Sequence, residues 1–174
     1  MSGTNLPIGL EGVDFTGVYT PYTTSSGTPE YPGLPFQVGT RVNGGNAGQW
    51  IFVTAATSIT ANDIVVISTM SSFATSALSN TTAKGFLGKL VGKAGGTATS
   101  GQGFWVQVAG YAAAVNAATS SAANTVLSST STAGRIGGAS AGNSAKVTGL
   151  TLVATAASNT AAAVLNFPAI GADD

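Results

Sequence analysis

The sequence predicts an all-β protein: a compact β-barrel or β-sandwich of short strands, carrying a long extended N-terminal arm. Two observations predict the domain. Apolar runs of four to eight residues, rich in Val, Ile, Phe and Trp, are punctuated by Gly, Asn and Ser, the pattern of many short strands joined by tight turns. The alanine runs, which alone would favour helix, are interleaved with Thr, Ser and Gly, which do not. A third observation predicts the arm. Five of the six prolines, Pro7, Pro21, Pro29, Pro32 and Pro35, fall in the first 35 residues, and proline removes ladder donors and excludes regular helix and central strand. The boundary is therefore placed at Phe36, with residues 1–36 as the arm and 37–174 as the domain.

In the arm, the stretch GVYTPYTTSSGTPEYPGLPF (17–36) has the composition of a disordered tail yet carries three tyrosines and a phenylalanine. Ordering such a segment costs roughly 1–2 kcal/mol per residue in backbone entropy, so rings of this size are expected to be anchors. Phe15, Tyr19, Tyr22, Tyr31 and Phe36 are the candidate partner-binding residues. The arm is expected to dock on a neighbouring subunit, the alternative being that it wraps its own domain.

Along the domain, QWIFVTA (49–55), DIVVIS (63–68), GFLGKLVGKA (85–94), GFWVQVAGYAAAV (103–115), KVTGLTLVATA (146–156) and AAVLNFPAI (162–170) read as strands. NGGNAG, KAGGTATSGQG and GRIGGASAGN between them read as turns. In residues 103–115, Phe104, Val106 and Val108 alternate with Trp105, Gln107 and Ala109. Both faces of that strand are largely apolar, so something must cover each. Sliding the chain by 62 positions aligns TSITANDIVV (57–66) with TSSAANTVLS (119–128), Lys84 with Lys146, and Leu90 and Val91 with Leu152 and Val153. Either the domain contains a duplication, or chance identities in a chain rich in Ala, Ser and Thr produce the match.

The chemistry open to the chain is narrow. It has no histidine and no cysteine, which removes the usual general base, the Ser-His-acid triad, thiol nucleophiles and thiolate metal sites. Most of the six carboxylates, Glu11, Asp14, Glu30, Asp63, Asp173 and Asp174, lie in the arm or the tail. Asp63 stands alone in the domain, following TAN, and is expected to close a turn. GKLVGKAGG (88–96) departs from a phosphate loop in both spacing and the residue after Gly-Lys; Lys89 and Lys93 are expected to be exposed. Trp50 and Trp105 read as core or interface, with sugar stacking as the alternative. Six basic and six acidic residues cancel, and without clustered cations nucleic-acid binding is not expected. No metal or cofactor and no membrane span are expected. The opening MSGTNLPIGLEG lacks the pattern of a secretory signal.

The arrangement resembles the small all-β head decoration, or capsid cement, proteins of tailed bacteriophages. The resemblance spans about residues 37–167. It is carried by a glycine-flanked strand with Gly88, Val91, Gly92 and Ala94, and by a strand with Gly103, Trp105, Val106, Val108 and Gly110. It implies a non-enzymatic module on the outer capsid surface that bridges major capsid protein subunits and stiffens the head against DNA pressure. Its partners would be the major capsid protein lattice and neighbouring copies of itself, with a trimer the expected local symmetry. Synthesis would be in the cytoplasm of a bacterial host. The long arm departs from the short leader of that family. A tail-tube or fibre-associated module and a carbohydrate-binding module are the alternative functions.

Overall fold

The computed structural model describes residues 13–21, 33–68, 72–83, 88–138 and 144–171. The all-β expectation holds. Eleven strands join one sheet, and the one helix among the described residues is the single turn α1, Asn80–Ala83. In chain order the strands are β1 Val18–Tyr19, β2 Arg41–Asn43, β3 Gln49–Ala55, β4 Ile64–Ile67, β5 Ala74–Ala77, β6 Val91–Ala94, β7 Gly103–Asn116, β8 Leu127–Ser129, β9 Ile136–Gly138, β10 Lys146–Leu152 and β11 Thr160–Ile170. The alanine runs lie within β7 and β11.

The sheet closes twice. In the first closure β3 pairs in parallel with β5, β5 antiparallel with β4, β4 with β6, β6 with the first half of β7, and β7 back with β3. In the second closure the end of β7 meets β9 in parallel through an Ala117–Ile136 bridge. From there β9 pairs antiparallel with β8, β8 with β10, β10 with β11, and β11 back with β7. Each ring thus has its first strand parallel to its third, with all other neighbours antiparallel, in the same order. The domain is two five-stranded barrels of one topology, and β7 serves as the last strand of one and the first of the other. Closure removes the exposed edges that an open sheet would leave.

The backbone repeats in detail. Asn62 and Asn124, 62 residues apart, both take positive φ, 69° and 56°. The amide of Asn62 bonds the carbonyl of Ala94, and that of Asn124 bonds Leu152. Ala55 and Ala117 donate to Gln102 and Asn159, and Ala56 and Ala118 donate to Thr75 and Ile136. Gly110 in β7 and Phe167 in β11 are matching positive-φ positions, at 90° and 45°. The duplication is therefore real in the fold, with one correction to the alignment. The counterpart of Leu152 is Ala94 and not Leu90, because the matching Asn62–Ala94 and Asn124–Leu152 bonds span 32 and 28 residues, so the second copy is four residues shorter there. Lys84 lies outside the described residues.

Strict alternation along β4 divides its side chains between two cores. Val65 and Ile67 point into the first barrel with Ile51, Val53, Phe104, Val106 and Val108. Ile64 and Val66 point outward, yet both are fully buried, because they join the cluster that lines the second barrel, with Leu127, Ile136, Leu150, Leu152 and Leu165. The β8–β9 turn completes this junction. Gly134 accepts a bond from the Ile64 amide at 2.7 Å and donates to Leu78 at 2.8 Å. Asp63 performs the turn role expected of it, accepting from the Thr60 amide at 2.8 Å, and also receives the Asn116 side chain of β7 at 2.8 Å.

Candidate functional site: the arm clasp

The first barrel turns two large rings outward from its β3–β7 ladder. Phe52 and Trp105 are cross-strand partners and both are fully buried. Their cover is the arm. Trp105 meets Phe36 at 5.0 Å and Phe15 at 5.7 Å between centroids, and Phe52 meets Phe36 at 5.3 Å and Tyr19 at 5.8 Å, all edge-on. Tyr19 and Phe36 also meet edge-on at 5.9 Å, and Phe15 stacks on Trp50 at 4.5 Å with 12° between planes. Such pairs add about 0.5–1.5 kcal/mol each beyond area burial. The apolar outer side of β7 thus has its covering layer.

Of the five candidate residues, the structure brings Phe15, Tyr19 and Phe36 together on one barrel face, and that barrel is their own. Tyr22 and Tyr31 lie outside the described residues. Two stretches of the arm converge: residues 13–20 lead into β1, which adds a short strand to β7 by pairing Val18 with Phe104 and Tyr19 with Gly103, and residues 33–38 bring Phe36. Thr20 accepts a bond from Gln102 at 2.9 Å. At the entry, Asp14 accepts from the Thr16 hydroxyl at 2.6 Å and amide at 2.9 Å, forming a local turn. Those bonds, the hydroxyl's first, hold its carboxyl below the usual range.

The seat of the arm is a glycine pair that sequence inspection read only as a turn. A Cβ on Gly95 would collide with the carbonyl oxygen of Phe15, and one on Gly96 with that of Thr16. The backbone of the arm lies directly on the backbone of the barrel there, and only glycine allows that approach. Gly95→Val is expected to lift residues 13–20 while leaving the barrel folded. Amide exchange at Val18 and Tyr19 should then quicken by about a hundredfold or more; retained protection would mean that the glycine pair is not the seat.

Beside the clasp, Lys93 holds its ammonium 5.7 Å from the centroid of Trp50. It is half-buried, against the exposed position expected from sequence, and burial pushes its pKa below that of an ordinary lysine. The cation–π contact would act the other way, so desolvation is the larger effect. A lysine with a depressed folded-state pKa opposes folding while charged, and the penalty is relieved as pH rises through that value toward the unfolded one. Unfolding midpoints of wild type and Lys93→Met are expected to converge as pH rises from 7 toward 10, with the variant the more stable at pH 7. A parallel pair of profiles would refute the assignment.

The two tryptophans are occupied. Trp105 is fully buried, and Trp50 has Phe15 stacked on it, so the pair does not form the open platform that a sugar-binding reading needs. Among the described residues no three His, Cys, Asp or Glu side chains converge. Searches with the chain match no protein family, no curated protein and no solved structure.

Among the described residues, no ring of the arm lies on the equivalent face of the second barrel. Trp50 pairs across the ladder with Gln107 in the first barrel, and Tyr111 pairs with Val164 at the corresponding place in the second. Tyr111 and Val164 are 44% and 45% exposed, and Phe167 of β11 and Val153, just after β10, are 42% and 51% exposed.

Proposed function

We propose that this protein is a non-enzymatic structural component of a tailed-phage head, a decoration protein that sits on the outer capsid surface and bridges major capsid protein subunits. The class of particle rests on the resemblance carried by Gly88, Val91, Gly92 and Ala94 and by Gly103, Trp105, Val106, Val108 and Gly110. The observation that carries the docking role is the apolar outer face of the second barrel, exposed at Tyr111, Val164 and Phe167. Exposed apolar side chains grouped on one sheet face are the mark of a docking surface, and the matching face of the first barrel is covered by the arm. A hydroxyl-rich, sparsely charged exterior gives such a protein little long-range repulsion from its own copies in a crowded lattice.

The test uses undecorated heads of the phage that encodes the chain. The protein should co-sediment with heads and raise the temperature at which they release DNA. Tyr111→Asp combined with Val164→Asp should weaken retention about tenfold or more, equivalent to at least about 1.4 kcal/mol, with an unchanged melting temperature of the free protein. Heads that ignore the wild-type protein would sink the reading, and equal retention of the double variant would remove this face from it.

A further inference from the structure

Residues 13–20 bind the first barrel as a unit. Their backbone lies on Gly95 and Gly96, Val18 and Tyr19 pair with β7, Thr20 meets Gln102, and Phe15 and Tyr19 add their rings. Phe36 is held differently, because it lies five residues before β2 and a short piece of chain ties it to its own barrel.

The two stretches meet over one ring. Tyr19 and Phe36 each lie edge-on to Phe52, and they face each other at 5.9 Å. The sixteen residues that join them, 20–35, include Pro21, Pro29, Pro32 and Pro35. Proline-rich links favour extended, semi-rigid backbone, and sixteen extended residues reach about 50 Å. A compact chain of this length has a radius of gyration of about 16 Å. The link is therefore long enough to reach a neighbouring molecule, and its composition opposes the return to its starting point that a contact within one chain requires.

We infer that residues 13–20 exchange between copies of this chain: they take the Gly95–Gly96 seat on the first barrel of a neighbouring molecule, while Phe36 stays on its own. Every contact of the clasp is kept, with the Tyr19–Phe36 pair then joining two chains. Each copy offers one arm and one seat, so no seat is left empty. Exchange of an identical element is a low-cost route to assembly, and a hinge that resists closure favours it. The inference is independent of the capsid reading, since it concerns the protein by itself and uses residues away from Tyr111 and Val164.

The chain has no cysteine, which allows a selective test. Continuing the β1–β7 register places Thr20 opposite Gln102, and their side chains meet at 2.9 Å. Cysteines at the two positions are cross-strand neighbours, near the spacing a disulfide requires. Thr20→Cys and Gln102→Cys are made in separate full-length chains, mixed equally at high concentration, unfolded, refolded together and oxidised. A covalent dimer at several times the yield of either variant alone is expected. A chain carrying both substitutions should give covalent oligomers that increase with protein concentration. A mixture that cross-links no better than its components, with a double variant that closes only within its own chain, overturns the proposal. Wild type should also sediment above the mass of one chain at high concentration, and Gly95→Val, whose seat is blocked, as a single chain. Association that survives Gly95→Val overturns the proposal too, because it places the contact elsewhere.

Discussion

Replacing Trp105 by alanine is expected to cost about 3–5 kcal/mol, the range for emptying the site of a fully buried tryptophan. Its ring lies against Phe15, Phe36 and Phe52, so the loss falls on the barrel wall and on the arm together. Urea melts of the variant should show the full loss, and exchange of the arm amides should become fast under conditions where the barrel is still folded. Trp105→Phe separates packing from polarity. The indole Nε1 has no hydrogen-bond partner among the described residues, so phenylalanine removes an uncompensated donor while keeping most of the contact area. Its cost should be clearly smaller than that of alanine. A loss below about 1 kcal/mol in the alanine variant would mean that the aromatic cluster does not hold the arm.

The second large effect is expected at Gly134. Its φ of 79° is one that side chains disfavour by about 1–2 kcal/mol, and a Cβ there would strike the Asp63 carboxylate. Overpacking at a filled site adds about 1–3 kcal/mol. Gly134→Ala should therefore destabilise by about 2–5 kcal/mol by the sum of those ranges, although only one methyl group is added. The collision part can be isolated by a double-mutant cycle with Asp63→Gly. Coupling of about 1 kcal/mol or more is expected, with the double variant less damaged than the two single effects added. Strict additivity would mean that the Asp63 contact contributes nothing and that the cost is conformational alone.

These two sites differ in how visible they were. Trp105 stood out in an alternating strand whose two faces were both apolar, and that pattern alone required a cover on the outer side. Gly134 stood out in nothing: GRIGG reads as one more turn, and its meeting with Asp63 arises only when two barrels are placed side by side. The strands show the same division. QWIFVTA is β3 to the residue, because β-branched and aromatic side chains prefer a pleated, half-buried surface. ATSA, LSS and IGG, which become β5, β8 and β9, are three or four residues long and mostly small, too little to mark a strand. They are strands because their neighbours' edges need partners.

By itself, the sequence determined the all-β class and the lack of histidine and cysteine, and it singled out the large rings of the N-terminal stretch. Each of these follows from composition or from a period of two, which is local information. Only the tertiary structure decided that the domain is two barrels of one topology, that Phe15, Tyr19 and Phe36 close over their own first barrel, and that Tyr111 and Val164 on the equivalent face of the second barrel are exposed. Those outcomes depend on contacts between residues far apart in the chain, Gly95 with Phe15 and Gly134 with Asp63 among them. They turn on whether a Cβ fits at the meeting point, which no run of neighbouring residues records.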